Sequence, residues 1–392
     1  MQSDGLSAPQ SKNLPLLDCL RASAAFLVLL GHTRNWFLLN IDAIEHPSLV
    51  MKAFWFVTVL QHEAVVVFFV LSGFLVGGAI TSAIGKGTFD LKTYLIARFV
   101  RIYVVYVPAL VLTALVFWIA RGVLQDFGEG TIRPIFSEQQ PDLGGLRAML
   151  CHISGLQGFA CAAWTQNPPL WSLGYEWSLY LIAPVILGVA ATSGPPLLRA
   201  LFVVLVLAAT AAIATSFQDW AFWYFAWFTG VGAAWVFRTK HLPALAGIAG
   251  LALAAAAMMI ARLKLVGAHE ATDIAITLGI ALAVSCRAIA TFRFGARFFE
   301  WAASFSYSLY AIHLPLVFLL IAIFQNLGFP THKTLPGPVS LSLMAISVLV
   351  PVLFAYGFSL VTERQTDRLR GLLKKRLSRP AAPIAEAQGQ QP

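Results

Sequence analysis

The chain has 392 residues, of which 58% are hydrophobic and 11% charged, and its mean hydropathy is +0.75. These proportions exclude a soluble globular domain and indicate a polytopic membrane protein. A net charge of +9 could suggest a nucleic-acid partner, but membrane proteins collect Lys and Arg in their cytoplasmic loops for topogenic reasons. We therefore expect membrane lipids, and no nucleic acid, among its partners.

The first apolar stretch, residues 14–39, is long enough to cross a membrane and yet carries Asp18, Arg21 and His32. Each ionisable group in hydrocarbon costs roughly 2.5 to 3.5 kcal/mol, so such groups normally face the interior of a helical bundle. Arg21 and His32 are eleven residues apart, which places them on one helix face about 16 Å apart. The stretch predicts a polar stripe running along the inside of the protein.

Apolar segments of similar length recur along the chain and predict an all-helical membrane bundle of about ten spans. The predicted spans are 15–38, 60–82, 98–120, 170–190, 197–216, 220–237, 243–262, 271–290, 302–325 and 338–361. Residues 14–363 would form this transmembrane domain, between a disordered segment at 1–13 and a basic, then disordered tail at 364–392.

Topology follows from the distribution of positive charge. With ten spans and both termini cytoplasmic, the cytoplasmic side carries 18 Lys and Arg and the opposite side 8, with Arg21 inside a span. This bias supports cytoplasmic termini, and in a bacterium the inner membrane. Segment 121–169 is then extracytoplasmic, and its end at 151–169 is too apolar for disorder and predicts a re-entrant or interfacial piece at a cavity mouth.

Four spans carry residues suited to binding or chemistry. Span two contains Ser72, Gly73, Gly77 and Gly78, small residues that let either a neighbouring helix or a ligand approach closely. Span three opens with Arg98 and Arg101, which share a helix face and could fork onto phosphates or serve topology alone.

Span four places Glu176 among Trp171, Trp177 and Tyr180. A carboxylate among aromatic rings suits a sugar, but the same rings are also typical of the aromatic belt at a membrane interface. Span nine opens with Tyr307, Tyr310 and His313 at intervals of three residues, close to one face.

The four cysteines form neither a metal-binding pattern nor a disulfide framework, and we expect no metal. Cys151 and Cys161 could pair if their segment faces an oxidising compartment. The preferred interpretation is that both cysteines are unpaired and act as small apolar side chains.

Several of these segments resemble signatures of the membrane acyltransferase-3 family, over Leu16 to Glu363. The matching segments are Arg-x10-His at Arg21 and His32, FFVLSGFLV, the Arg98–Arg101 pair, WSLGYEWSLYLIAP and SYSLYAIH. The chain departs from the family at Cys19, where Gly is usual, at Val66, where many members have an acidic residue, and at Gln365. Members commonly have Pro where this chain has Gln365, and this departure weakens any role for the nearby Glu363.

The resemblance implies an integral membrane O-acyltransferase that moves an acyl group, most often acetyl, from cytosolic acyl-coenzyme A to a hydroxyl of an extracytoplasmic carbohydrate. Arg98 and Arg101, with Ser72 and Gly73, would hold the coenzyme A donor. Arg21 would stabilise the thioester end or developing oxyanion, and His32 would remove the hydroxyl proton. Glu176 would orient His32 or bind the acceptor. Trp171, Tyr180, Tyr307, Tyr310 and His313 would contact the substrate or support the catalytic groups.

Two other classes remain open at this point. In a proton-coupled or anion transporter, Arg21, His32 and Glu176 would form a pathway, although the two halves show no inverted repeat. A non-catalytic assembly partner would not need the intact arginine and histidine. The acceptor, the choice between acetyl and succinyl, the oligomeric state and the need for a partner that presents the acceptor are not readable from the sequence.

Overall fold

The structure is a computed structural model that describes residues 14–123, 146–164, 166–262, 269–293, 295–331 and 333–377. Over these residues the protein is helical and has no β-strand, which confirms the all-helical class. The segments predicted to be disordered, 1–13 and the end of the tail, lie outside the described residues.

The described helices are named here in chain order. They are α1 (Pro15–Phe37), α2 (Leu49–Thr58), α3 (Gln61–Ser72), α4 (Gly78–Gly85), α5 (Leu91–Val123), α6 (Leu146–Ile153), α7 (Trp171–Ala190), α8 (Pro196–Ile213), α9 (Phe217–Thr239), α10 (Ala244–Arg262), α11 (His269–Ser285), α12 (Arg287–Ala290), α13 (Ala296–Ala303), α14 (Ser306–Asn326), α15 (Pro338–Val361) and α16 (Thr366–Leu377).

Each predicted span corresponds to a helix, or to a helix pair joined end to end, in the described chain. Eight helical stretches there are long and apolar enough to cross a membrane by length and composition. The other two predicted spans are α9, whose sequence is rich in Trp, Tyr and Phe, and α11, whose 17 residues are at the lower limit for crossing a membrane. The protein is a polytopic helical bundle.

Helix α1 lies inside this bundle, which explains how it tolerates charged residues. It begins with a proline at its first position, where the missing N–H costs no hydrogen bond, and it packs against α3, α13, α14 and α15. Leu17, Leu29 and Phe37 on α1 are fully buried. By contrast, α8 buries almost none of its surface and lies at the periphery.

The two ends of the bundle are named here by a residue of each. The Arg21 end contains the start of α1, the start of α5 and helix α16; the Glu63 end contains the end of α1 and the start of α3. At the Arg21 end, Asp90 caps α5 by accepting the Thr93 N–H at 2.9 Å. Hydrogen bonds from Thr93 lower the pKa of Asp90 below its usual value. This cap fixes where α5 begins, two turns before Arg98.

Glycines allow α3 and α9 to touch through their backbones. A Cβ on Gly73 would lie 1.8 Å from the carbonyl oxygen of Trp227, and a Cβ on Gly230 would lie 2.2 Å from that of Val70. The chain from Gly73 to Gly77 forms a π-helical turn between α3 and α4. Of the two interpretations of the small residues in span two, helix packing therefore accounts for Gly73.

Segment 151–164 folds into a compact loop that a disulfide between Cys151 and Cys161 closes, with Cα atoms 6.5 Å apart. The preferred expectation of two unpaired cysteines is therefore wrong. Sequence spacing could not decide this, because pairing depends on how the loop folds. Buried Gln157 donates to the Tyr106 hydroxyl at 2.9 Å, and Tyr106 donates to the His152 carbonyl at 2.6 Å, which ties the loop to α5.

Candidate functional site

A cavity of about 180 Å³ lies among α1, α3, α5, α7 and α14. Aliphatic and aromatic side chains form much of its wall, and charged and hydroxyl groups project into it. It is lined by Arg21, Val65, Phe68, Phe69, Leu71, Ser72, Leu75, Val76, Arg98, Arg101, Ile102, Ser172, Leu173, Glu176, Tyr180, Ser306, Tyr307 and Tyr310. A membrane bundle rarely encloses charges unless they serve a ligand or a pathway.

Three arginines line the side of this cavity toward the Arg21 end. Arg98 and Arg101 lie one turn apart on α5, and Arg21 reaches the same space from α1. Arg101 donates from Nη2 to Glu363 Oε1 at 3.0 Å. The Arg98 guanidinium lies 5.7 Å from the centre of the Tyr180 ring, at cation–π distance.

Glu363 is buried and fully engaged. Its second oxygen accepts the N–H of Ser308 at 3.0 Å and the Ser308 hydroxyl at 3.1 Å. The carboxylate thereby holds Arg101 in place and ties the end of α15 to α14. Gln365 in place of the usual proline argued against a role for Glu363, but the contacts of Glu363 need only its carboxylate.

Glu176 contributes a carboxylate to the wall of the cavity. Its Oε1 accepts the hydroxyl of Tyr180, one turn along α7, at 2.5 Å, and that of Ser72 at 3.0 Å. The Trp227 indole N–H donates to the Ser72 hydroxyl at 3.1 Å, so α3, α7 and α9 together fix the carboxylate. These bonds join Glu176 to Ser72 and Tyr180 and do not involve His32.

Tyr310 and Phe68 form a further part of the wall, with ring centres 5.7 Å apart. The Tyr310 hydroxyl donates to the Pro169 carbonyl at 2.8 Å and is hydrogen-bonded with the Ser172 hydroxyl at 2.6 Å. Both rings are therefore held between α3, α7 and α14.

His32 lies behind this wall, next to His313. The two imidazole centres are 5.4 Å apart, and His313 is 6.1 Å from the Tyr310 ring. His313 Nδ1 is 2.8 Å from the Tyr310 carbonyl oxygen, so Nδ1 carries the hydrogen. Its Nε2 is buried and has no hydrogen-bond partner among the described residues. His313 therefore presents an unprotonated nitrogen inside the bundle, near His32.

The structure brings most of the predicted site residues together. The ones that line the cavity are Arg21, Ser72, Arg98, Arg101, Glu176, Tyr180, Tyr307 and Tyr310. The ones that do not are His32 and His313, which lie behind Tyr310, Gly73, which packs on α9, and Trp171, whose ring lies 5.0 Å from that of Trp223. The sequence analysis did not single out Ser172 or Phe68, whose residue types are too common in membrane helices to stand out.

Comparison with known proteins identifies the family. The model of the acyltransferase-3 domain family, described as an acyltransferase domain, matches residues 14–356. The chain belongs to this family, and it is an integral membrane protein.

One curated relative is an uncharacterized protein from Haemophilus influenzae, 31% identical over 155 residues. The match spans 38% of this chain and 59% of the relative, which is less than two thirds of the relative's length. No solved structure matches the chain.

Proposed function

We propose that this protein is a membrane O-acyltransferase that takes an acyl group, most simply acetyl, from acyl-coenzyme A and places it on a hydroxyl of a carbohydrate at the Glu63 end. The observation that carries the proposal is one cavity inside the bundle that is lined by three arginines and by a carboxylate fixed by two hydrogen bonds. Membership of the acyltransferase-3 family supports the class of reaction.

The donor enters at the Arg21 end. Arg98 and Arg101 share a helix face there, and guanidinium groups bind phosphate oxygens through paired hydrogen bonds. The pantetheine arm passes between apolar side chains such as Val65 and Leu75. Arg21 lies where it can stabilise negative charge on the carbonyl oxygen of the thioester during transfer.

The acceptor hydroxyl gives its proton to the His32 imidazole, and its oxygen attacks the thioester carbonyl carbon. The carbon–sulfur bond then breaks, the sulfur takes up a proton, and an ester and free coenzyme A result. Imidazole suits this role because its usual pKa, near 6.5, lies close to physiological pH. Tyr310 lines the cavity and lies 6.1 Å from His313, which is 5.4 Å from His32, so the acyl group meets the acceptor at the Tyr310 side of the cavity.

Glu176 faces the cavity with one oxygen bonded by Tyr180 and Ser72. Its other oxygen can accept hydrogen bonds from a sugar hydroxyl, and the nearby tyrosine rings offer an apolar face. The acceptor class is therefore a polyhydroxylated one, such as a surface polysaccharide, a lipid-linked oligosaccharide or a glucan.

Two observations support the proposed assignment of the membrane sides. The Arg21 end holds the excess of Lys and Arg expected of a cytoplasmic face. The Cys151–Cys161 disulfide belongs in an oxidising compartment, opposite the cytosol. Both favour cytoplasmic termini in a bacterial inner membrane.

The test is acyl transfer by membranes from cells that produce the protein. Membranes given acetyl-coenzyme A labelled in the acetyl group should form alkali-labile label in carbohydrate, above membranes from cells without the protein. A parallel reaction with labelled succinyl-coenzyme A decides the acyl group. Failure to transfer label from either donor, while the purified protein moves labelled anions across vesicle membranes, would establish a transporter instead.

A further inference from the structure

A second cavity adjoins the first at the Arg21 end and differs from it in chemistry. Its volume is about 350 Å³, and it shares Arg21, Arg98 and Arg101 with the first cavity, the one of about 180 Å³. Its remaining lining residues are Ala97, Glu363, Arg364, Thr366, Asp367 and Arg370. It is named here the vestibule.

Positive charge exceeds negative charge in the vestibule. Five guanidinium groups face two carboxylates, those of Glu363 and Asp367. Glu363 is already bonded by Arg101 and Ser308. Arg98 Nε is buried without a hydrogen-bond partner among the described residues. Such a surplus raises the local concentration of an anion with several charges.

Five of the lining residues, from Glu363 to Arg370, follow the part of the chain that the family model matches, residues 14–356. Helix α16 is packed against α5, and Lys92 donates to the Leu377 carbonyl at 3.0 Å. The basic tail therefore forms a wall of the vestibule over its helical part.

Arg370 is the arginine at the mouth. Its side chain is 47% exposed and pairs at 3.0 Å with Asp367, which is 85% exposed. An ion pair this exposed contributes little, so the guanidinium can turn to a ligand. Arg364 is exposed as well, but its guanidinium is already engaged by a hydrogen bond to Ser304 at 3.1 Å and by the Tyr356 ring.

We propose that the vestibule binds the phosphates of the acyl donor and that Arg370 recognises its outermost phosphate, the one on the ribose 3′ position of coenzyme A. This rests on the proposed donor, an acyl-coenzyme A. The thioester end points into the first cavity toward Arg21, so the diphosphate lies at Arg98 and Arg101, which both cavities share, and the ribose phosphate lies toward α16. Arg364 and Arg370, the two vestibule arginines that do not line the first cavity, then give selectivity for a donor that carries a third phosphate.

The experiment measures binding by calorimetry with the purified full-length protein in detergent, and needs no transfer. The probes are coenzyme A, dephospho-coenzyme A, which lacks the 3′-phosphate, and adenosine 3′,5′-bisphosphate. Arg370→Ala should weaken coenzyme A binding about tenfold, the loss of one charge-assisted hydrogen bond, and leave dephospho-coenzyme A binding nearly unchanged. Arg368→Ala is the control, because Arg368 lies on the same helix and does not line the vestibule. This variant should change neither affinity.

Three results would overturn the inference. Arg370→Ala and Arg368→Ala could bind coenzyme A alike, or Arg370→Ala could weaken both coenzymes equally. The third is a lipid effect: in nanodiscs, phosphatidylglycerol could compete with coenzyme A for the wild type but not for Arg370→Ala, which would make the vestibule a headgroup site. Unaltered thermal unfolding of both variants excludes misfolding. If the predicted binding pattern holds but no acyl group is transferred, the proposed function fails and the vestibule stands.

Discussion

The Arg21 end and the Glu63 end both place charged side chains inside the bundle, in different proportions. At the Glu63 end the buried carboxylate of Glu63 is paired with Arg262, and His62 lies 2.8 Å from Asp273. Buried Arg34 donates to the Asn40 side chain at 3.2 Å. Each of the two carboxylates there has a basic partner, and these pairs tie α3 to α10 and α11.

At the Arg21 end the arginines outnumber the carboxylates and surround two adjoining cavities. Balanced pairs far apart in sequence hold helices together, whereas a surplus of one sign next to open space is suited to a ligand of opposite charge. Counting charges within each cluster therefore separates a structural role from a binding role better than the presence of charge does. Helix α1 connects the two ends, with Arg21 near one and His32 toward the other.

The largest effect is expected from replacing His32, because the substitution removes the group that accepts the proton of the acceptor hydroxyl. His32→Ala should lower the turnover of acyl transfer by about 10²- to 10⁴-fold and leave donor affinity nearly unchanged. The measurement is steady-state kinetics with labelled acetyl-coenzyme A. His241→Ala, an exposed histidine, is the control and should be fully active. Near-normal transfer by His32→Ala would make Glu176 or His313 the leading base.

The next effect tests whether the Glu63 end is structural. Glu63→Ala leaves Arg262 without its partner, and breaking a buried ion pair costs about 3 to 5 kcal/mol. The unfolding midpoint in detergent should fall clearly, whereas donor affinity measured in the folded protein should not change. Glu270→Ala, exposed at the same end, should match the wild type. An unchanged midpoint together with a raised KM for the acceptor would turn this cluster into a binding site.

The disulfide offers a smaller structural test at the Glu63 side. Removing a cross-link that closes a loop of about ten residues should cost about 2 to 3 kcal/mol. Cys151→Ser should therefore unfold at a lower temperature than the wild type and should expose a Cys161 thiol to a membrane-impermeant reagent added outside the cell. Cys19→Ser, which removes a cysteine outside the disulfide, is the control. Labelling of Cys161 only after the reagent enters the cytosol would reverse the assigned sides.

The smallest effects are expected from single arginines at the Arg21 end, because each supplies one of several contacts. Arg98→Ala or Arg101→Ala should raise the KM for acyl-coenzyme A about tenfold and change turnover less, since the contact exists before and during transfer. Arg293→Ala, exposed and outside both cavities, should not raise the KM. If the double variant binds the donor as the wild type does, the surplus charge has another purpose.

Sequence reasoning found the helices because apolar length is a local property, and it found Arg98 and Arg101 because three residues of spacing set a shared face. It did not find the partners, because pairing depends on tertiary packing. Glu363 meets Arg101 across 262 positions, and Glu63 meets Arg262 across 199. Gly73 remained ambiguous until α9 was seen against it. The family resemblance named His32, but its place behind Tyr310 needed the fold.

The central claim is that the donor acts from the Arg21 end and the acyl group leaves toward the Glu63 end. The most direct test uses proteoliposomes in which the protein has one known orientation, with labelled acetyl-coenzyme A confined to one side and an oligosaccharide acceptor to the other. Labelled ester should form when the donor is on the Arg21 side, and should not form when donor and acceptor are exchanged. Equal labelling in both arrangements, or labelling with the donor on the Glu63 side alone, would contradict the account.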